Sequence, residues 1–174
     1  MAEQPHGQAT FYQYRLLKKI SLSKHLTSLY LILPCAAVAS EMFILSWDSF
    51  LYFFLAFVLI LWIHFVIGRS VLFFLGSIYQ KKWRFSLRTP WLGYMPDQHV
   101  SSYVFAKVQL HTAWIGICLF GIMAFWSPLS FIVSILFWHL WLLVPRYYAL
   151  LRFSDQPKDG MLKFSDQDIS YYKQ

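Results

Sequence analysis

Five ionisable side chains sit within stretches otherwise built largely from Leu, Ile, Val and Phe: Glu41, His64, Lys107, His111 and His139. In hydrocarbon, a carboxyl and imidazoles are the groups that pass protons, hold ions or ligate haem iron. A charged Asp, Lys or Arg at mid-helix costs about 2.5–3.5 kcal/mol on insertion scales, so each such residue calls for a reason. Glu41 directly follows Cys35-Ala36-Ala37-Val38-Ala39-Ser40, a run of small residues that lets another helix approach at Cys35/Ala39 and Ala36/Ser40. It is expected to turn inward, toward a helix neighbour, water or the outer interface.

Membrane haem of the b type is commonly held by two histidines on facing helices. Counted from the inner ends of their stretches, His64 and His111 agree in depth within roughly 3–4 Å at 1.5 Å per residue, so they are the pair that geometry permits. His139 lies nearer mid-membrane. The plainer reading makes all three uncharged hydrogen-bonding groups of a packed interior, with no cofactor. Lys107 and His111 are four apart and share a helix face, with Gln109 and Thr112 adding polarity. A lysine snorkelling to the headgroups explains this without an ion path. The chain has no P-loop, no paired-cysteine metal motif, no His-Glu-x-x-His and no Gly-x-Ser-x-Gly, so no catalytic residue or metal ligand is assigned and a non-enzyme is expected.

Those side chains need helices to position them. The 174 residues are 58% hydrophobic and only 13% charged, where a soluble domain has about a quarter charged. Crossing a hydrocarbon core about 30 Å thick takes roughly 20 apolar residues. Four runs qualify, at 26–47, 50–67, 103–126 and 131–150. Asp48-Ser49 joins the first two and Ser127-Pro128-Leu129-Ser130 the last two, turns short enough to force antiparallel hairpins. The expected fold is an all-α polytopic membrane protein of four transmembrane helices, arranged as two hairpins. Its parts are an N-terminal segment 1–25, a first hairpin 26–78, a loop 79–102, a second hairpin 103–151 and a tail 152–174. The second helix either continues past Gly68 or bends there. Cys35 and Cys118 are expected to be buried thiols, and Ala113, Gly116, Gly121 and Ala124 to form one close-packing face.

All fifteen Lys and Arg residues fall before, between or after the hairpins, or at their inner ends. By the bias of basic residues to cytoplasmic loops, both termini and the loop are expected inside, at a plasma (cell inner) membrane. No cleavable signal peptide is expected, since residues 1–25 are polar and basic. The net +7 would meet anionic inner-leaflet headgroups, at about 1 kcal/mol per well-placed residue. Nucleic acid is a less economical partner. Phe11, Tyr14, Leu17 and Ile20 recur at helical spacing beside Arg15, Lys18 and Lys19, as in a basic interfacial helix or a simple flanking charge cluster. Lys81, Lys82, Trp83, Arg84 and Arg88 interleave cations with aromatics, as expected for contact with lipid or a partner.

Two internal echoes stand out. Arg152-Phe153-Ser154-Asp155-Gln156 returns as Lys163-Phe164-Ser165-Asp166-Gln167, and Ser165 with Asp168 has the spacing of a helix N-cap before 169–172. The hairpins also correspond, with His64 and Arg69 in one return helix and His139 and Arg146 in the other, which a parallel duplication would produce. The reading that combines these features is a non-catalytic subunit that packs against other membrane proteins or itself and scaffolds a larger complex, such as one of transport or secretion type served by a cytoplasmic ATPase. The alternatives are a small transporter or channel using the intramembrane Glu and His, and a bis-histidine haem protein.

Overall fold

The computed structural model describes residues 15–157, 159–165 and 168–173. Helix α1 (Lys24–Ile44) leads through a short turn to α2 (Ser49–Leu75), and α4 (Ser102–Met123) through a second turn to α5 (Leu129–Arg152). A one-turn helix, α3 (Ser77–Gln80), follows α2. The four long helices are each long and apolar enough to cross a membrane, and point to a membrane location on that ground.

The helices form two hairpins but not a symmetric bundle. On α2 the buried positions Phe53, Ala56, Ile60, His64, Ile67 and Val71 recur every three or four residues, the spacing of one helix face. Phe105, Val108, Thr112 and Gly116 of α4 and Ile135, Trp138, Leu142 and Ala149 of α5 supply matching stripes. These three helices make the core, tied by a bond from Trp138 Nε1 on α5 to the Phe53 carbonyl on α2, 2.9 Å. Glu41 is the one buried residue of α1. That helix starts at Ser23, whose hydroxyl accepts from the Leu26 amide, and leans on α5 through Tyr30.

The all-α expectation is corrected at one end of the bundle. Among the described residues six strands lie there: β1 (Arg15–Ser21), β2 (Trp83–Ser86), β3 (Gly93–Pro96), β4 (Val100–Ser101), β5 (Met161–Phe164) and β6 (Asp168–Lys173). Four join in the order β1-β6-β5-β4, all antiparallel, and β2-β3 is a separate hairpin. The described part of the expected N-terminal helix is therefore strand β1, with Arg15 opposite Lys173 and Ser21 opposite Asp168. Phe11 and Tyr14 lie outside the described residues. The expected helix after Ser165 is β6, whose Ile169 and Tyr171 are fully buried at a spacing of two. Backbone pairing with a segment some 150 residues away overrides a weak local period. Of the second half of the 152–174 echo, Lys163 and Phe164 fall on β5 and Ser165 follows it, while the first half falls on a helix end; Asp166 and Gln167 are outside the described residues.

Helix α2 runs unbroken through Gly68, where a Cβ would stand 3.1 Å from the Tyr94 ring of β3. Gly68 thus admits the hairpin rather than bending the helix. Cys35 and Cys118 are exposed on the outer faces of α1 and α4, not buried. Gly116 is at a close contact as expected, but Gly121 faces open space, so the expected four-residue packing face does not extend that far. Tyr171 locks the sheet to the helices: it stacks on Phe153 with 5.2 Å between ring centres and donates to the Pro157 carbonyl across Gly160, where any Cβ would collide with its ring.

Candidate functional site

The bundle's polar groups occupy three levels along α5, at Ser134, His139 and Arg146. At 1.5 Å per residue, the levels are separated by about 7.5 and 10.5 Å.

At the first level, Glu41 is buried against α5, and the Ser134 hydroxyl reaches its Oε2 at 2.6 Å and the Ser130 carbonyl at 2.8 Å. A hydroxyl has one proton to donate, so the two acceptors share it. The inward turn expected of Glu41 is what the structure has. The low hydropathy of Ser130 and Ser134 was its only other trace in the sequence.

At the second level, His64 Nε2 and His139 Nδ1 are 2.9 Å apart, their rings edge to face and both buried. Gly116 makes the room, since a Cβ there would stand 2.4 Å from His139 Cε1. One nitrogen of the close pair must donate and the other accept. His64 Nδ1 and His139 Nε2 have no hydrogen-bond partner, although the Ala113 backbone approaches His139. The two histidines that a parallel duplication would make equivalent meet directly. His111 is not brought to His64: its Nδ1 bonds the Lys107 carbonyl of its own helix at 2.7 Å, and it is half-exposed. Lys107 is half-exposed too, its Nζ 5.7 Å from the centre of the Tyr103 ring.

The third level escaped sequence reasoning. Arg146, one of the basic residues expected at the inner ends of the hairpins, is 2% exposed. Nη1 donates to Gln109 Oε1 at 3.2 Å and Nη2 to the Leu92 carbonyl at 2.8 Å, with no acidic partner among the described residues. Gln109 Nε2 lacks a partner. The loop between β2 and β3 delivers Leu92, and Gly93 at φ 95° lets it pass, since a Cβ there would stand 3.0 Å from Arg146 Nη2. The signal available beforehand was Pro145-Arg146 inside an apolar run, and the supposed counterpart Arg69 shows why it misleads: Arg69 is exposed, 5.9 Å from the Phe65 ring.

Of the cations expected to meet lipid or partner, Arg15, Lys19, Lys81, Arg84 and Arg88 are exposed and Lys18 and Lys82 half-buried, all on the sheet end. Lys19 pairs with Asp168 at 2.8 Å, Lys18 donates to the Arg152 carbonyl, and Arg84 stands 3.6 Å from Asp97. Trp83 differs from them. It is buried between Tyr94 and Phe105, so it anchors the β2-β3 hairpin to α4 instead of offering itself outward.

Comparison with family models, with curated proteins and with solved structures finds no match.

Proposed function

We propose that this chain is a non-catalytic membrane subunit that assembles with other membrane proteins or with copies of itself, oriented with both termini and the sheet in the cytoplasm of a cell whose inner membrane it spans. The observation that carries the reading is α1. It touches the core through Tyr30 and Glu41 and leaves Cys35, Ala36, Ala39 and Ser40 facing outward, where a neighbouring helix can approach its backbone. The sheet end adds exposed cations for anionic headgroups or for a soluble partner such as an ATPase. Isolation in a mild detergent tests this directly: co-purification with a larger membrane complex, or a defined oligomer, is expected, and a stable solitary monomer overturns it.

A second reading, a small transporter or channel subunit, draws support from the unpartnered nitrogens of the His64–His139 pair between Glu41 and Arg146. It requires that Glu41→Gln or His139→Ala abolish solute or proton flux in proteoliposomes without disturbing assembly. Flux unchanged by both variants removes it.

A further inference from the structure

Two cavities adjoin across Asp97 at the sheet end of the molecule. The smaller, about 250 Å³, is lined by Lys82, Asp97, Gln98, His99 and Lys163. Strand register builds it. Val100 pairs with Leu162, which sets His99 beside Lys163, and Trp83 pairs with Pro96, which sets Lys82 beside Asp97; the Asp97 amide donates to the Lys82 carbonyl at 2.9 Å. Two lysines and an imidazole from three separate chain segments therefore face one cleft. Among the described residues its single carboxylate is Asp97, offset by Arg84 at 3.6 Å. The larger cavity, about 420 Å³, continues past Asp97 and is walled by Phe85, Trp91 and Phe164 beside Arg84 and Arg88.

We propose that the cleft of Lys82, His99 and Lys163 binds the phosphate of an organic phosphate, with the aromatic cavity beyond Asp97 holding the organic part. Lysine ammonium groups serve phosphate as point charges, and imidazolium adds a directed N–H. His99 lies within that positive field and is held below the ordinary imidazole pKa, first by burial and then by Lys163 and Lys82. Tyr172 covers the other side of the ring, 5.0 Å between centres, and Asp97 is the facing acid. A bound phosphate cancels the two lysines, so it raises the His99 pKa and draws in a proton. The phosphate has two sources, a lipid headgroup at the membrane surface or a soluble metabolite. This inference stands apart from the subunit reading and survives its failure.

The test uses the full-length chain, with the His99 ring signal assigned through His99→Gln and followed by NMR against pH. In neutral-detergent micelles it is titrated with glycerol 3-phosphate; in nanodiscs, phosphatidylcholine is compared with phosphatidylcholine plus phosphatidylglycerol. A raised His99 pKa with glycerol 3-phosphate assigns a soluble organic phosphate, and a rise confined to phosphatidylglycerol nanodiscs assigns a headgroup. No rise in either overturns the site. Lys82→Gln with Lys163→Gln is expected to weaken binding about 25-fold, from about fivefold per lysine beside an anionic phosphate. Lys24→Gln with Arg69→Gln removes the same charge from exposed positions outside the cleft and should change affinity by less than about twofold. Equal weakening by the two pairs reduces the effect to diffuse charge and also overturns the site.

Discussion

Helices α1 and α4 open the two hairpins, yet α1 lies against the bundle while α4 is built into it. Hydropathy ranks them the other way, α1 being the more apolar. Leu29, Ile32 and Leu33 of α1 are exposed, whereas Val108, Gln109, Thr112 and Gly116 of α4 are buried. Apolarity records how far a segment prefers to be from water. In a bilayer, lipid and protein satisfy that preference equally, so close packing and polar bonds decide which helix enters the core. Helix α4 has Gly116 to receive His139 and Gln109 to receive Arg146; α1 has one stacked pair, Tyr30 on Trp141 with 4.0 Å between ring centres, and one acid.

The contrast can be broken most forcefully at Gly116. Gly116→Val drives a side chain into His139 and is expected to cost about 3 kcal/mol of stability, whereas Gly121→Val on the same helix, facing open space, should stay within about 0.5 kcal/mol. Thermal unfolding in detergent measures both, and equal losses would mean that α4 is not packed as described. Next is Arg146→Ala, which orphans the Leu92 carbonyl and Gln109 Oε1 but relieves a buried charge; a net loss of about 2 kcal/mol is expected, with loosening of the β2-β3 hairpin seen by hydrogen exchange.

On the α1 side, Tyr30→Phe removes the bond from the Tyr30 hydroxyl to the Trp141 carbonyl but keeps the reciprocal bond from Trp141 Nε1. About 1 kcal/mol is expected, appearing as faster exchange in α1 while α2, α4 and α5 stay protected. The smallest effect is at the sheet. Asp168 is held below its ordinary carboxyl value of 3.8, first by its bond from Lys19. Its contribution is therefore complete above about that pH and is lost as pH falls through the lowered value. Exchange along β1 and β6 should quicken in that acid range, and Asp168→Asn should flatten the dependence.

The four long apolar helices and their two turns were legible because a helix long and apolar enough to cross hydrocarbon displays that length in any window of sequence. Glu41 and the three histidines were legible as exceptions within those spans. Their pairing was not: His64 had its depth match in His111, and the partner is His139, because Gly116 lets that ring reach across. The sheet left almost no local trace. Arg15–Ser21 and Asp168–Lys173 are each short, charged and ambiguous in period, and become strands only against each other.

From sequence alone, this protein's relation to its solvent was determined: which segments leave water, where the chain turns, and where its cations collect. These follow from local composition, since transfer from water is a property each residue carries with it. Tertiary structure alone decided that Arg146 is interior and Arg69 is not, that Trp83 is an anchor, that α1 is peripheral, and that Arg15–Ser21 and Asp168–Lys173 share one sheet. Each of those depends on a partner far away in sequence, and close packing or a hydrogen bond exists only when both members are in place.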